Sequence, residues 1–438
     1  MINGQYLRFL FVTVLTLGRM PLIFLFLAIN LTMGRADHAV WFSAAFAAMI
    51  LSALTDLFDG YLARRWKVVT RFGGSADPVI DKIFFIITLP VLVYRAWMRG
   101  EPLWHCKVLL ALAVILLARD QWLTFLREVC AKHRVETKAD WIGKTRTVVL
   151  FVAICTIYWY LQAPKGWIDL SPVLIYALEA ASLMLTLISI VTYTRTYGPA
   201  LRGEIASVFA VRAPKPGERF ARREHLALAT GLTILRVPLA LVFLLAQFFL
   251  TPKKTGGEWL LLEPHWHVAL FVLCQAILIV CFVTNALDGF LARRLKAESD
   301  LGKYAHPLAD GLYYLVTLMV FAFLAVLRGE HLGSVLLLLL ATMSLVSDQW
   351  ASFLKSIGAM HRMVGQATWS DRVRTVIVFP TICVIYWHLQ APGAWPVLPR
   401  AAAYALIGAC LAAQLVAMLA YSVGFWPGVR REMSQQFP

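Results

Sequence analysis

The chain consists largely of apolar runs separated by short polar segments. Each run is close to the ~20 residues that an α-helix needs to cross the hydrocarbon core of a bilayer. The first six runs cover residues 8–33, 39–62, 78–98, 105–126, 146–163 and 171–196. The second six cover residues 225–250, 266–291, 306–327, 333–354, 373–391 and 400–425. The pattern predicts an all-α integral membrane protein with about twelve spans.

Composition supports the membrane class and argues against a nucleic-acid partner. Of the 438 residues, 60% are hydrophobic and 15% are charged, whereas a soluble domain has roughly half and a quarter. The formal net charge is +16, but the basic residues alternate from loop to loop. Seventeen Lys and Arg residues fall at 64–73, 126–146 and 195–224. Five fall in the opposite loops, at 33–41, 95–107 and 162–172. This positive-inside pattern predicts that both termini are cytoplasmic.

The chain repeats itself. Residues 15–21 (LTLGRMP) return as 232–238 (LTILRVP), and residues 157–164 (IYWYLQAP) return as 385–392 (IYWHLQAP). Between the repeats lies a charged segment rich in Pro and Gly, which is typical of a domain boundary. The repeat therefore predicts two tandem six-helix domains and a cytoplasmic linker, with the bounds 1–197, 225–438 and 198–224.

Four aspartates lie at the edges of the second and third apolar runs. They belong to the pattern D-x2-D-G-x2-A-R-x8-G-x3-D-x3-D, formed by Asp56, Asp59, Gly60, Ala63, Arg64, Gly73, Asp77 and Asp81. An Asp at the centre of a membrane helix costs roughly 2.5 to 3.5 kcal/mol, so these acids need partners. Asp56 and Asp59 share one helical face, and Asp77 and Asp81 are one turn apart on the next helix. Two facing helices would direct four carboxylates to one point, as in a two-metal phosphoryl-transfer site. Oxygen ligands favour Mg²⁺ or Mn²⁺ over zinc.

At every position, this motif resembles the signature of the CDP-alcohol phosphatidyltransferases, integral membrane enzymes of phospholipid synthesis. The resemblance implies that the four aspartates form the metal site and that Asp81 also takes the proton from the attacking hydroxyl. It implies CDP-diacylglycerol as the donor and CMP as the leaving group. It also implies a nucleotide site formed by Asp56, Asp59, Gly60, Ala63, Arg64 and Gly73. The small residues there let a nucleotide approach the backbone, and the arginine can contact the pyrophosphate.

A second group of residues resembles the phosphatidylglycerophosphate synthase branch of that family. That branch carries R-E-x6-R-E followed by W-x-G-K-x-K-T. The matching residues here are Arg119, Asp120, Arg127, Glu128, Trp141, Gly143, Lys144, Arg146 and Thr147. We expect Arg119, Arg127, Lys144 and Arg146 to bind a phosphorylated acceptor such as sn-glycerol 3-phosphate, since a phosphate needs cations. Phosphatidylglycerol, inositol phosphate or another polar alcohol is the open alternative.

The second copy of the aspartate motif has lost two acids. It reads Asn285, Asp288, Gly289, Ala292, Arg293, Gly302, His306 and Asp310. Two carboxylates leave much of the +4 charge of two Mg²⁺ ions unbalanced in a low-dielectric site. We therefore predict that the second half is catalytically inactive. Because members of the family look like homodimers, the tandem is predicted to be an internal pseudo-dimer of one active half and one scaffold half.

Two other classes of function are weighed against the enzyme. A secondary transporter can also be built from two parallel six-helix repeats and can use intramembrane carboxylates. The acids here lie beside Arg64 and Arg65 at the predicted cytoplasmic end of a helix, whereas transporter acids lie near the midplane. A non-enzymatic scaffold fits the second half alone. The sequence thus favours a phosphatidyltransferase of the cytoplasmic (inner) membrane, with its active site and its membrane lipid contacts on the cytoplasmic face.

The position of His105 in the sequence also predicts its environment. His105 lies between two apolar runs on the predicted outer side and has no ligand spacing to acids. The sequence therefore predicts that His105 is a surface residue without a site.

Overall fold

The structure, a computed structural model, describes most of the chain. The described residues are 4–32, 38–68, 71–133, 135, 141–209, 223–250, 254–255, 258–259, 264–294, 300–361, 369–392 and 395–435. Most of the predicted linker, residues 210–222, lies outside them. Residues 198–209 continue the sixth helix, and residues 223–224 begin the seventh.

Each half contains six long helices. The first half has α1 (Gly4–Thr32), α2 (His38–Trp66), α3 (Arg71–Arg99), α4 (Leu103–Lys132), α5 (Trp141–Gln162) and α6 (Pro172–Phe209). The second half has α7 (Arg223–Leu250), α8 (Pro264–Arg294), α9 (Asp300–Leu327), α10 (His331–Met360), α11 (Trp369–Gln390) and α12 (Arg400–Gln435). A minimal antiparallel hairpin, β1 (Lys254–Thr255) with β2 (Glu258–Trp259), lies between α7 and α8. The predicted all-α fold of two six-helix repeats is confirmed.

Nearly all of these helices suit a bilayer. Within the described residues, eleven are long and apolar enough to cross a membrane. The twelfth, α3, has 29 residues but carries several charged side chains, among them Asp77, Asp81 and Lys82. Its central stretch, residues 83–93, is buried throughout, so the other helices enclose it. The chain is a multi-pass membrane protein.

The two halves pack on each other through equivalent helices. In the repeat, α9 and α10 are the copies of α3 and α4. Helix α3 packs against α10, and α4 packs against α9, so the contacts between the halves are reciprocal. Around a small cleft at this contact, first-half residues and their second-half copies face one another: Pro90, Val93, Tyr94 and Trp97 with Met319, Ala322, Phe323 and Val326. Reciprocal contacts of this kind are the signature of a two-fold relation.

A tight turn ends α2 and returns the chain toward α3. Lys67 has φ +55°, in the left-handed region that residues other than glycine rarely adopt. The N–H groups of Lys67 and Val68 donate to the carbonyls of Arg64 and Ala63 at 3.3 and 3.0 Å, which satisfies two of the last four carbonyls of the helix. The turn lets α3 begin at Arg71, so the aspartates of the two helices face each other.

The prediction that His105 is a surface residue is wrong. The side chain is fully buried on α4. Its Nδ1 lies 3.0 Å from Glu101 Oε2, and its Nε2 lies 2.9 Å from Glu179 Oε1. Glu179 comes from α6, so no local spacing around the histidine could reveal this partner.

Candidate active site

Three helices of the first half bring the four motif aspartates together. Asp56 and Asp59 lie in the last turns of α2, and Asp77 and Asp81 lie in the first half of α3. Arg19 of α1 links the two helices. Its Nη1 donates to Asp56 Oδ1 at 2.7 Å, and its Nη2 donates to Asp81 Oδ1. The acids therefore share one site that contains a buried guanidinium.

The four carboxylates differ in exposure. Asp59 is 3% exposed and accepts a hydrogen bond from Thr16 Oγ1 at 2.8 Å. Asp77 Oδ1 is buried and has no hydrogen-bond partner. The side chains of Asp56 and Asp81 are each 42% exposed, so they form the open side of the site. A buried carboxylate oxygen without a partner is costly, and the Asp77 oxygen is therefore suited to bind a cation.

The donor set fits a hard divalent cation. Four carboxylates and the Arg19 guanidinium leave an excess of negative charge, and all the ligand atoms are oxygens, which Mg²⁺ and Mn²⁺ prefer. Within the described residues, no three His, Cys, Asp or Glu side chains are arranged as a ready metal site, and Arg19 lies between Asp56 and Asp81. The residues match the ion by charge, by ligand type and by the free oxygen of Asp77.

The predicted nucleotide residues lie on α2 and α3, the two helices that carry these acids. Gly60 lies next to Asp59 on α2, and the nearest group to a Cβ there would be the flexible Arg64 guanidinium, at 3.3 Å. Packing within the protein thus does not require a glycine at this position. Arg64 is exposed and Ala63 is half-buried at the end of α2, and Gly73 lies in the first turn of α3. The surface is open to a ligand and bordered by a cation.

The four predicted acceptor cations separate into a buried pair and an exposed pair. Arg119 and Arg146 are 6% and 3% exposed. Both contact the same carboxylate oxygen, Asp120 Oδ1, at 2.7 and 3.3 Å. Arg127 and Lys144 are exposed. The structure thus brings two of the four cations together, around an aspartate that the motif shares.

Helix α6 closes this buried pair from the other side. Arg119 Nη2 donates to Ser189 Oγ at 2.7 Å, and its guanidinium lies 5.3 Å from the centre of the Tyr193 ring. Arg146 Nε donates to Thr186 Oγ1 at 3.3 Å. These contacts hold two guanidinium groups in a fixed, water-poor position.

Gly143 of α5 packs closely against the Tyr193 side chain of α6. A Cβ at this position would lie 2.6 Å from the hydroxyl oxygen of Tyr193, which is closer than atoms in contact allow. We expect Gly143→Ala to destabilise the protein by about 1–3 kcal/mol through overpacking. Tyr193→Phe removes the hydroxyl and should restore most of the loss in the double variant. Thermal unfolding in detergent measures both. A Gly143→Ala variant as stable as the wild type would show that Tyr193 moves aside freely.

The corresponding place in the second half is centred on Arg236, which is 0% exposed. Its Nη1 donates to Asn285 Oδ1 at 2.7 Å and to Asp310 Oδ1, and its Nη2 donates to Asp288 Oδ2 at 2.6 Å. His306 Nδ1 lies 3.1 Å from the same Nη2. The two retained acids and the two altered positions of the motif therefore surround one guanidinium. The side chains of the remaining motif residues Ala292 and Arg293 lie outside the described part.

Thr16 and Arg19 belong to the site although they lie outside the aspartate motif. A signal was present, because both residues return in the repeated segment as Thr233 and Arg236. Thr233 Oγ1 donates to Asp288 at 2.9 Å, just as Thr16 donates to its own aspartate at 2.8 Å. A threonine and an arginine kept in both copies of a membrane helix are a pattern that indicates acidic partners.

Comparison with known proteins places the chain in a family. A sequence profile of the CDP-alcohol phosphatidyltransferases matches residues 10–192 and again residues 226–426. The CDP-diacylglycerol--glycerol-3-phosphate 3-phosphatidyltransferase of Escherichia coli (strain K12) is 32% identical over 152 residues, which cover 34% of this chain and 76% of the relative. The enzyme of the same name from Salmonella typhimurium (strain LT2) is 32% identical over 157 residues, which cover 35% of this chain and 76% of the relative.

The chain belongs to the CDP-alcohol phosphatidyltransferase family. It is a membrane-embedded enzyme of phosphatidyl transfer, and the predicted resemblance to phosphatidylglycerophosphate synthases is confirmed.

Proposed function

We propose that the first half transfers the phosphatidyl group of CDP-diacylglycerol to sn-glycerol 3-phosphate and releases CMP, on the cytoplasmic face of the inner membrane. One observation carries the proposal: the complete set of four aspartates converges in the first half alone, with two carboxylates open to a ligand. Relatives that are 32% identical to this chain over 76% of their own length bear the name of that reaction.

The four aspartates would hold Mg²⁺ or Mn²⁺. A bound ion supplies charge neutralisation for the pyrophosphate and for the leaving CMP. Arg19 holds Asp56 of α2 and Asp81 of α3 at a fixed separation. Arg64, at the rim, contacts the pyrophosphate of the donor.

The acceptor reacts through its hydroxyl group. Asp81 is half-exposed on the open side of the site and takes the proton from this hydroxyl as the oxygen attacks. The oxygen forms a bond to the phosphorus that bears the diacylglycerol, and the bond from that phosphorus to CMP breaks. The proton stays on Asp81 until it passes to solvent.

Charge balance supports a phosphorylated acceptor. Arg119 and Arg146 are two buried cations that share one acid, Asp120, so an anion would complete the cluster. In the second half, Ser347 stands at the position of Arg119. A single arginine, Arg374, remains there and donates to its acid at 2.6 Å. Within the described residues, a buried pair of arginines that shares one acid is therefore found at this place in the first half and not at the equivalent place in the second.

The second half would serve as the partner of an internal pseudo-dimer. The reciprocal packing of α3 on α10 and of α4 on α9 supports this arrangement. A hydrogen bond also joins the two halves: Lys107 Nζ of α4 donates to the backbone carbonyl of Phe248 of α7 at 2.7 Å. The tandem would then provide, in one chain, a contact that six-helix relatives would have to form between two chains.

The decisive measurement is CMP release by the purified protein with CDP-diacylglycerol and Mg²⁺. We expect release with glycerol 3-phosphate and none with inositol phosphate, phosphatidylglycerol or no acceptor. A chelator should abolish release, and added Mg²⁺ or Mn²⁺ should restore it. Release with a different acceptor would overturn the acceptor assignment, and no release with any acceptor would overturn the reaction.

Arg119→Ser tests the acceptor pocket and copies the residue that the second half carries. Hydrogen bonds to charged groups contribute about 1.5–3 kcal/mol, so we expect the KM for glycerol 3-phosphate to rise about 10- to 100-fold. The KM for CDP-diacylglycerol should stay within about twofold, because that substrate makes its contacts at the aspartates. Steady-state kinetics in both substrates separates the two effects. An unchanged KM for glycerol 3-phosphate would remove Arg119 from the acceptor site.

A further inference from the structure

Lys82 follows Asp81 directly on α3, but its side chain enters the contact between the two halves. Its Nζ donates to Thr124 Oγ1 of α4 at 2.8 Å and to Gln349 Oε1 of α10 at 3.1 Å. Gln349 belongs to the degenerate second half. The Lys82 ammonium, beside the active site, thus donates one hydrogen bond to each half.

The repeat offers an internal comparison for this contact. The counterpart of Lys82 is Gly311, which follows Asp310, and the counterpart of Gln349 is Gln121. A Cβ on Gly311 would lie 3.5 Å from Gln121 Cδ. The reciprocal contact is therefore present but carries no cation. At these two equivalent positions, an ammonium crosses between the halves beside Asp81 and not beside Asp310.

The Lys82 contact also continues toward the buried arginines. Thr124 Oγ1, which accepts from Lys82, itself donates to the backbone carbonyl of Asp120 at 2.8 Å. Asp120 is the residue that Arg119 and Arg146 share. A connected line of hydrogen bonds thus runs from Gln349 to the α4 turn that carries the proposed acceptor site.

We propose that Gln349 of the second half is a positioning residue for the reaction of the first half. By accepting from Lys82, Gln349 fixes the rotation and axial height of α3, and hence the position of Asp81 relative to Arg119 on α4. This inference rests on the proposed function. Without the glutamine oxygen, the buried ammonium keeps one protein acceptor and must move to find another. A misplacement of about 1 Å between reacting groups can cost about 100-fold in rate.

The test is kinetic and uses the full chain. We expect Gln349→Leu, which keeps the size and removes the acceptor, to lower kcat about 10-fold or more, with both KM values within about twofold. Gln349→Glu retains an acceptor for the ammonium and should recover most of the rate.

The matched control is Gln121→Leu, the same change at the position that faces Gly311. Gln349 Nε2 donates to Gln121 Oε1 at 3.5 Å, which is long for a hydrogen bond, so kcat of Gln121→Leu should stay within about twofold of the wild type.

A double-variant cycle identifies Lys82 as the intermediary. If Gln349 acts through the ammonium, Lys82→Met combined with Gln349→Leu should be no slower than Lys82→Met alone. Equal losses in Gln121→Leu and Gln349→Leu would overturn the inference, since a loosened interface would then explain both. An unchanged kcat in Gln349→Leu, in a wild type that turns over, would overturn it while the proposed function stands. A wild type that releases no CMP with any acceptor would defeat both.

Discussion

Asp81→Asn is expected to lower CMP release about 10²- to 10⁴-fold, the usual contribution of a positioned general base. Asparagine has nearly the same shape and can still accept from Arg19, so the link between α1 and α3 persists. What it lacks is the ability to take a proton. The KM for CDP-diacylglycerol should change far less than kcat, and steady-state kinetics with saturating glycerol 3-phosphate measures both.

The chain contains a matched control for this substitution. Asp310 holds the same motif position in the second half and contacts Arg236 as Asp81 contacts Arg19. Asp310→Asn should leave turnover near the wild-type value. A slow Asp310→Asn variant would overturn the inactivity predicted for the second half. A fast Asp81→Asn variant would overturn the assignment of the base.

The fold could be predicted from sequence because its signals are local or repeated. Apolar runs of bilayer length marked the helices, and two copies of the same segments marked the two halves. The convergence of Asp56, Asp59, Asp77 and Asp81 was also predictable. Residues three or four apart share a helical face, and a turn between α2 and α3 was the remaining requirement.

The buried cations could not be predicted in the same way, because their partners are distant in sequence. Arg19 contacts acids on two other helices, and Lys82 contacts a glutamine in the other half of the chain. Neither pair leaves a spacing pattern. In a membrane interior, however, a charged residue implies a partner, and a residue kept in both copies of the repeat shows where to look for one.

The predicted four-cation pocket shows what helical geometry excludes. Eight residues along a helix amount to a rotation of about 80° beyond two full turns, so Arg127 cannot point the same way as Arg119. Residues two apart, such as Lys144 and Arg146, lie on nearly opposite faces. The matched motif therefore combines one buried and one exposed cation from each of α4 and α5. The exposed members can still meet a ligand at the rim, but they do not belong to the Asp120 cluster.

Arg236→Ala is expected to have the largest effect on stability. The side chain is fully buried between Asp288 and Asp310. Its removal deprives both acids of the guanidinium and leaves the half-exposed His306 at 3.3 and 3.4 Å from them. Breaking a buried ion pair by deleting one partner costs about 3–5 kcal/mol. Urea or thermal unfolding in detergent should show this loss. The neutral triple variant Arg236→Met, Asp288→Asn, Asp310→Asn should regain much of it, because no buried charge then remains.

The same substitution at the equivalent arginine separates a metal site from a salt bridge. Arg19→Ala leaves the acids of the complete motif, two of which are 42% exposed, so a divalent cation can take over the charge of the guanidinium. We expect Mg²⁺ to restore the stability of Arg19→Ala and to leave that of Arg236→Ala unchanged, since a ligand that binds only the folded state stabilises it by an amount that rises with the logarithm of ligand concentration over Kd. Equal restoration of both variants would mean that Asp288 and Asp310 still bind an ion. Restoration of Arg19→Ala alone would mean that the second half no longer binds an ion, so that Arg236 is the cation that holds its three helices together.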